Sequence, residues 1–246
     1  MPMPENFLKI LSSLWRDCCD FFFPPVCHLC GEHCNESVCA KCVESLATLD
    51  SGYKPSDTQS FAKKRNTTNG RIAFVRPLAP FDTDHKQLIH LLKYSGIIDI
   101  GRFFGKRIGE MVRNEPDFKK YETFIPVPLH KNRHRERRYN QAEIIASEAS
   151  EVSGKEIRAD IIARVKHTES QTKLNPSERR DNVRNAFAVV KPEFIMGKKV
   201  ILVDDVVTTG ATIEEMAKAL GKAGANDICA VCIAHPLRDE SKTYRI

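Results

Sequence analysis

Two adjacent acidic residues followed by threonines and a glycine make residues 200–212, VILVDDVVTTGAT, the segment with the clearest chemistry. The apolar run before Asp204 and Asp205 is typical of a strand buried on both faces, and Gly210 favours a close turn into a helix. Amide groups at a helix N-terminus bind phosphate, and carboxylates accept hydrogen bonds from sugar hydroxyls. The hydroxyls that can add to the phosphate cradle belong to Thr208, Thr209 and Thr212. The segment therefore predicts a site for a 5-phosphorylated ribose, with a capping-rich strand end or another nucleotide fold as the alternatives.

Four cysteines in two closely spaced pairs form a second candidate site. The pairs are CHLC and CAKC, separated by eight residues, and their members are Cys27, Cys30, Cys39 and Cys42. Each CxxC lets two thiolates from one tight turn reach the same ion, and four thiolates form the closed tetrahedral arrangement of structural zinc. Such a metal contributes folding free energy to a segment too short to bury a core. A redox CxxC pair is the alternative, and His28, His33 and Cys34 are substitute ligands.

The positive charge of the chain is concentrated in one short stretch. Residues 119–140 contain seven Lys or Arg and two Glu, so they carry +5 of the formal net charge of +6. This concentration indicates an anionic partner, phosphate or nucleic acid, unless the stretch is a solvated basic face. Its segment KNRHRERRYN has the cations for a groove that follows the backbone of single-stranded DNA, but one Tyr is a thin stacking platform. The candidate cations are Arg133, Arg135, Arg137 and Arg138.

The elements that must position these residues alternate between helix and strand. Helical spacing predicts two helices within 84–113, one from about 140 and one over 212–223. Apolar runs predict strands near 71–81, 124–127, 161–165, 186–190, 200–207 and 227–235. Such alternation predicts an α/β protein with a parallel sheet flanked by helices. Cys229 and Cys232 lie in the last of these strands and are expected to be inert core residues.

The chain is predicted to have three parts. Residues 1–50 hold an amphipathic helix, expected over 5–20, and the four-cysteine module. Residues 51–70 are polar and rich in turn formers, so they are expected to act as a linker. Residues 71–246 form the α/β domain.

Composition excludes several classes of protein. Hydrophobic residues make up 41% and charged residues 28%, which excludes collagen-like, low-complexity and wholly disordered chains. The longest uncharged apolar stretch, 21–30, contains two prolines and is far shorter than the ~20 residues of a membrane-spanning helix. The N-terminus lacks the basic, apolar and small-residue regions of a secretory signal. We therefore expect a cytoplasmic protein without membrane insertion.

The motif VDDVVTTGAT resembles the 5-phosphoribosyl 1-pyrophosphate (PRPP) signature of type I phosphoribosyltransferases. Further motifs, in the same order along the chain, are similar to those of ComF/ComFC proteins, also called the GntX group. These motifs are FFFPPVCHLCG with CAKC, LLKYSG, PVPLHKNRHRERRYNQAEIIA and TESQTKLNPSERRDNVRNAF. The resemblance covers almost the whole chain. It implies a type I phosphoribosyltransferase fold with a small N-terminal zinc-binding module.

The resemblance also implies roles for individual residues. Asp204 and Asp205 would accept hydrogen bonds from the ribose hydroxyls, and the turn PLHK, with Lys131, would meet the pyrophosphate. The 5-phosphate loop would consist of Thr208, Thr209, Gly210, Ala211 and Thr212. Residues 166–186 take the place of a mobile active-site loop, and the candidate catalytic residues in it are Gln171, Arg180 and Arg184. Mg²⁺ would bind together with PRPP, mainly through ligand oxygens and waters.

What is known of ComF proteins implies a role in natural competence. There the chain would handle incoming single-stranded DNA in the cytoplasm while its phosphoribosyltransferase domain binds PRPP. The sequence contains no helicase Walker motif, so DNA translocation would need a helicase partner. The alternative is an enzyme that transfers phosphoribosyl from PRPP to a base or an amine and has no DNA role.

Overall fold

A computed structural model of the chain describes residues 24–51, 72–166 and 181–236. The chain divides into two compact units, residues 1–47 and 48–246. The helix expected over 5–20 lies outside the described residues, and so does nearly all of the linker expected over 51–70. The three-part division of the chain therefore stays a prediction.

The described part of the first unit begins with a short turn, and a helix follows. The amide of Cys27 donates to the carbonyl of Glu32 at 2.8 Å, and the amide of Gly31 donates back to the carbonyl of Cys27 at 2.9 Å. These bonds close the first cysteine pair into a tight turn, in which Gly31 has a φ of 77°. Helix α1 (Ala40–Ser51) follows, and its Leu46 is fully buried. Within residues 24–46, few side chains are buried, which is the situation in which a metal adds stability.

The second unit alternates helices and strands, in agreement with the spacing of its apolar residues. Its helices include α2 (Thr83–Tyr94), α3 (Ile98–Asn114), α4 (Lys131–Arg137), α5 (Gln141–Ser153) and α6 (Ala211–Lys222). Its strands include β1 (Ile72–Pro80), β2 (Thr123–Pro126), β3 (Glu156–Ile157), β4 (Ile162–Arg164), β5 (Phe187–Val189), β6 (Lys199–Val206) and β7 (Asp227–His235). Within the described ranges, no helix combines the length and the apolar character needed to cross a membrane.

Five strands form one parallel sheet in the order β1-β7-β6-β2-β3. Strand β6 lies at its centre, and residues 200–203 are fully buried because the sheet is covered on both faces. Cys229 and Cys232 are fully buried in β7, and burial raises the pKa of both thiols, as expected for inert core residues. The prediction of a parallel α/β sheet is confirmed.

Helices α3 and α5 pack unusually closely, and the contact fixes the position of α5 in the fold. Glycines recur every four residues along α3, at Gly101, Gly105 and Gly109. A Cβ atom at Gly105 would lie 2.6 Å from Cβ of Glu148, and one at Gly109 would lie 2.7 Å from Cβ of Val152. Any larger residue at these positions would push the helices apart. The contact with α3 therefore holds α5 in place, and the N-terminus of α5 lines a cavity at the end of the sheet.

Two details differ from the simplest expectation. The basic stretch, for which the sequence predicted no helix, forms the two-turn helix α4 after the turn PLHK, and the N-cap of α4 is His130. Its imidazole Nδ1 accepts a hydrogen bond from the amide of Asn132 at 3.3 Å, and Arg138 ends the helix with a φ of 65°. Strands β4 and β5 were expected and are present, but they pair with each other in an antiparallel hairpin outside the main sheet.

Candidate functional site

The four predicted cysteines come together in the first unit. The Sγ atoms of Cys27, Cys30, Cys39 and Cys42 all lie within 4.8 Å of one another. The sulfurs of Cys30 and Cys39 are 3.6 Å apart, and the amide of Cys39 donates to Sγ of Cys27 at 3.3 Å. Cys34 is outside the cluster and points its thiol at the carbonyl of Glu36, 2.9 Å away.

The pKa shifts of these thiols are those expected for sulfurs grouped around a cation site. Burial opposes ionisation of Cys27, but hydrogen bonds from the backbone amides of Cys39 and Cys30 lower the pKa of Cys27 to about 6. Burial and the neighbouring cysteine sulfurs raise the pKa of Cys42 above its usual range. Several sulfurs this close together cannot all ionise unless a cation shares their charge. Four sulfur donors are the ligand set that zinc takes in closed structural sites.

The acid pair lies at the C-terminal end of β6, as predicted. Each carboxylate accepts a hydrogen bond from the next amide: Asp204 from the amide of Asp205 at 2.9 Å, and Asp205 from the amide of Val206 at 2.7 Å. The chain then turns through Gly210, which has a φ of 72°, and α6 begins at Ala211. The first amides of this twelve-residue helix point into the turn, where phosphate is favoured.

A cavity of about 390 Å³ opens at this end of the sheet, and most of the predicted binding residues line it. Those from the strand end and the following loop are Asp204, Asp205, Thr208, Thr209, Gly210, Ala211 and Thr212. Arg133 and Arg137 also line it, since they lie one turn apart on the same side of α4. Parallel sheets bind ligands at this edge because loops from neighbouring strands meet there.

Other predicted residues do not line this cavity. Lys131, Arg135 and Arg138 are exposed on α4 or at its end and are absent from the cavity wall. Arg184 is exposed and pairs with Asp181 at 3.2 Å. Gln171 and Arg180 lie outside the described residues. The structure thus separates the predicted basic residues into a cavity side and a solvent side.

The wall also contains cations to which the sequence alone gave no site role. Nζ of Lys93, at the end of α2, lies 2.8 Å from Oδ2 of Asp205. Arg164 comes from β4, and burial together with the nearby Arg133 lowers the pKa of its guanidinium. A charged residue inside the apolar strand pattern of 161–165 was the available signal for Arg164. Lys93 lies in the LLKYSG motif, which by itself indicates no role.

Gln141, the first residue of α5, is a further residue that the sequence did not single out. It lines the cavity with only 2% of its surface exposed, and its amide nitrogen has no hydrogen-bond partner. The preceding Asn140 is fully engaged, because it donates to the carbonyl of Val127 at 3.1 Å and accepts from the amide of Ala142 at 3.1 Å. A buried amide without a partner beside a cavity is a ready donor to a ligand.

The charges around the acid pair determine when it ionises. Burial and the adjacent Asp205 raise the pKa of Asp204 to about 7, against the opposing influence of Lys93 and Arg164. Asp204 therefore changes charge near neutral pH, whereas Asp205 is held in an ion pair by Lys93. The cavity wall combines acceptors for hydroxyl groups with cations and amides for phosphate groups.

Comparisons with known proteins agree with this geometry. A family model described as the phosphoribosyl transferase domain matches residues 141–246. Competence protein F of Haemophilus influenzae is 38% identical over 146 residues, which cover 57% of this chain and 63% of that protein. DNA utilization protein YhgH of Escherichia coli O157:H7 is 31% identical over 153 residues, which cover 61% and 66%. Competence protein ComFC of Streptococcus pneumoniae is 27% identical over 217 residues, which cover 88% and 85%.

The matched regions span just under two thirds of the length of the first two relatives and most of the third. The region matched by the family model includes α5, the acid pair and the loop before α6. The predicted fold, a parallel sheet flanked by helices with a cysteine module near the N-terminus, is confirmed. The chain is similar to the competence protein F, ComFC and YhgH proteins, and its residues 141–246 match the phosphoribosyl transferase domain, in agreement with the type I fold that the sequence predicts.

Proposed function

We propose that the second unit binds PRPP, together with Mg²⁺, in the cavity at the end of β6. One observation carries the proposal: an acid pair, a helix N-terminus and several cations line the same cavity. The carboxylates suit the ribose hydroxyls, the amides and threonine hydroxyls suit the 5-phosphate, and the cations suit a pyrophosphate. Two acids beside a phosphate alone would be repulsive, so a phosphorylated sugar fits the cavity better.

The residues of the wall would then have separate tasks. Asp204 and Asp205 orient the ribose by accepting hydrogen bonds from its vicinal hydroxyls. When the bond between the anomeric carbon and the pyrophosphate breaks, positive charge develops on the sugar and negative charge on the leaving group. Lys93, Arg133 and Arg164 line the cavity and would share that negative charge. Mg²⁺, when bound with PRPP, would add its charge at the pyrophosphate oxygens.

Transfer of the phosphoribosyl group to a base or an amine is the second candidate function. The cations of the cavity favour it, because they would stabilise a departing pyrophosphate as well as a bound one. Gln171, Arg180 and Arg184 stay the candidate catalytic residues of the loop over 166–186. Release of pyrophosphate in a screen of bases and amines would support this function. If PRPP binds but no base or amine causes release of pyrophosphate, the second unit binds PRPP without transferring its phosphoribosyl group.

We also propose that the cysteine cluster of the first unit holds a structural zinc ion. Four thiolates around tetrahedral zinc leave no position open for substrate, so the metal would stabilise the unit and take no part in a reaction. The short distances between the sulfurs support this assignment. A redox role is less well supported, since it would need one reactive pair and not four converging thiols.

We propose that the biological role is the handling of single-stranded DNA in natural competence. The proposal is supported by the names of the relatives, competence protein F and DNA utilization protein YhgH, and by the exposed cations of α4. A cytoplasmic location and a helicase partner are part of the same proposal. Lys131, Arg135 and Arg138 are the cations available to a DNA backbone, whereas Arg133 and Arg137 face the cavity.

This division of the arginines gives a first prediction. Changing Arg135 and Arg138 to Gln should weaken the binding of single-stranded DNA and flatten its salt dependence by about 1.4 units of log K against log salt, at about 0.7 per lost phosphate contact. The affinity for PRPP should not change, because neither side chain lines the cavity. Fluorescence anisotropy with a labelled oligonucleotide at several salt concentrations measures the slope.

The matched variant changes Arg133 and Arg137 to Gln. It should lower the affinity for PRPP, because two cations of the cavity are lost. If both double variants keep the wild-type salt slope, DNA does not bind along α4. If the first double variant loses PRPP affinity as strongly as the second, the two sides of α4 are not separate sites.

The raised pKa of Asp204 predicts a pH dependence of PRPP binding. The carboxylate, and not the neutral acid, is the strong acceptor for ribose hydroxyls, so the affinity should fall as the pH decreases through about 7. An ordinary Asp would lose its charge only near pH 4. Because the phosphate groups of PRPP also titrate, at about pH 6, the comparison is with Asp204→Asn. Calorimetry at pH values above and below 7 should show that the PRPP affinity of the wild type falls more steeply with decreasing pH than that of Asp204→Asn. An equal fall in both proteins would contradict the role of the Asp204 carboxylate in binding ribose.

A further inference from the structure

The described residues include two exposed aromatic side chains, and one of them stands at the ligand cavity. Tyr94, the last residue of α2, is 58% exposed and lines the cavity. Phe194 is 45% exposed but does not line it. The other aromatic side chains of the described parts are buried or half-buried. A single exposed ring is common on protein surfaces, so the neighbours of Tyr94 in the cavity wall are what make it informative.

Two side chains, one of them a cation, contact the ring of Tyr94. The guanidinium of Arg137 lies over the ring, 5.1 Å from its centroid. The imidazole of His90, one turn earlier on α2, has its centroid 4.8 Å from that of Tyr94, with an angle of 44° between the planes. Contacts of this kind hold an aromatic ring in one orientation and leave it less rotamer freedom to lose when a ligand stacks on it.

We propose that Tyr94, with Arg137 and His90, forms a stacking platform for a nucleobase at the cavity. The inference rests on the proposed function, because the base would be held next to the phosphoribosyl site. Aromatic rings and guanidinium planes stack on the flat faces of bases, and this contact tolerates any base sequence. The cations of the same wall would meet the phosphates or the pyrophosphate beside the base.

This platform could not be predicted from the sequence. The segment KNRHRERRYN contains one tyrosine, Tyr139, and that residue is not exposed: its hydroxyl donates to the carbonyl of Leu92. Tyr94 comes from the LLKYSG motif, more than forty residues before Arg137 in the chain. Only the fold brings the ring and the guanidinium together.

The test compares a strand that has bases with one that lacks them. Tyr94→Ala should weaken the binding of a labelled oligo(dT) by about 5- to 150-fold, the effect of losing one stacked base. It should not change the binding of an abasic deoxyribose-phosphate strand of the same length. Tyr94→Trp should restore oligo(dT) binding, because a larger ring stacks at least as well.

Phe194→Ala is the matched control. Phe194 is also exposed and also lies under a guanidinium, that of Arg158 at 3.9 Å from the ring centroid, but it is outside the cavity. This variant should bind oligo(dT) as the wild type does. An equal loss in the two alanine variants would mean that any exposed ring has this effect, and the platform would be rejected.

A competition experiment identifies the source of the base. Free purine and pyrimidine bases, added with PRPP and Mg²⁺, should displace oligo(dT) from the wild type if the platform serves a small acceptor, and should not do so if it serves DNA. Both results keep the stacking role. The role is overturned if Tyr94→Ala affects the abasic strand and oligo(dT) equally, or neither. A wild-type chain that does not bind PRPP would refute the proposed function separately, whatever the oligo(dT) result.

Discussion

Replacing Asp204 and Asp205 together by Asn should lower the affinity for PRPP by at least tenfold. Asn keeps the shape of the side chain but loses the charge that strengthens a hydrogen bond from a sugar hydroxyl, a loss of about 1.5 to 3 kcal/mol for each bond. The ion pair of Asp205 with Lys93 would also disappear and leave that ammonium without its partner. Isothermal titration with PRPP and Mg²⁺ measures the effect.

The folded state of this double variant provides the control. Burial and the adjacent Asp205 raise the folded pKa of Asp204 to about 7, so its ionisation costs stability as the pH rises from about 4, the usual pKa of Asp, to about 7. The single variant Asp204→Asn removes that cost, so its free energy of unfolding at pH 8 should stay the same or rise, whereas the double variant also loses the ion pair of Asp205 with Lys93. Unchanged PRPP binding in a folded double variant would remove the acid pair from the proposed site.

Removing the four cysteines should have the second large effect, on metal content and folding. The wild-type chain should carry one zinc ion, and changing Cys27 or Cys39 to Ser should lower both zinc content and solubility. The loss is expected because metal binding contributes folding free energy to a small cysteine module. Zinc content is measured by atomic absorption or by a colorimetric chelator.

Cys34→Ser provides the matched comparison for the zinc prediction. Cys34 belongs to the same unit, but its sulfur lies outside the cluster. This variant should keep its zinc and its solubility. Full zinc content in a variant without Cys27, Cys30, Cys39 and Cys42 would contradict the assignment, and so would loss of zinc from the Cys34 variant.

The strand, the acid pair and the loop of residues 200–212 were predictable because their signals are local. Four apolar residues in a row indicate a strand buried on both faces, and Gly210 indicates the turn that the observed φ of 72° requires. The cysteine pairs were equally readable, since their spacing alone brings sulfurs together. In each case the residues that come together lie close along the chain, at most 15 positions apart for Cys27 and Cys42.

The remainder of the cavity could not be read from the sequence because distant elements build it. Lys93 contacts Asp205 because β1, which leads into α2, and β6, which carries Asp205, belong to the same sheet. In that sheet β7 lies between β1 and β6. Arg164 reaches the cavity from a hairpin outside the main sheet. The sequence of the basic stretch indicates its net charge but not the direction of each side chain. Only the helix α4 shows that Arg133 lines the cavity and that Arg135 does not. A cluster of cations in the sequence predicts a site for an anionic partner. Which of those cations line the site depends on the fold.

The most direct test of the account is a calorimetric titration of the wild-type chain with PRPP in the presence of Mg²⁺. We predict saturable binding of one PRPP per chain, with weaker binding of ribose 5-phosphate and of pyrophosphate, because each of these fills only part of the cavity. Binding should weaken when Mg²⁺ is removed by a chelator that leaves the zinc in place. A folded chain that shows no saturable heat with PRPP, or that binds pyrophosphate alone as tightly as PRPP, would contradict the assignment of this cavity to a phosphorylated ribose.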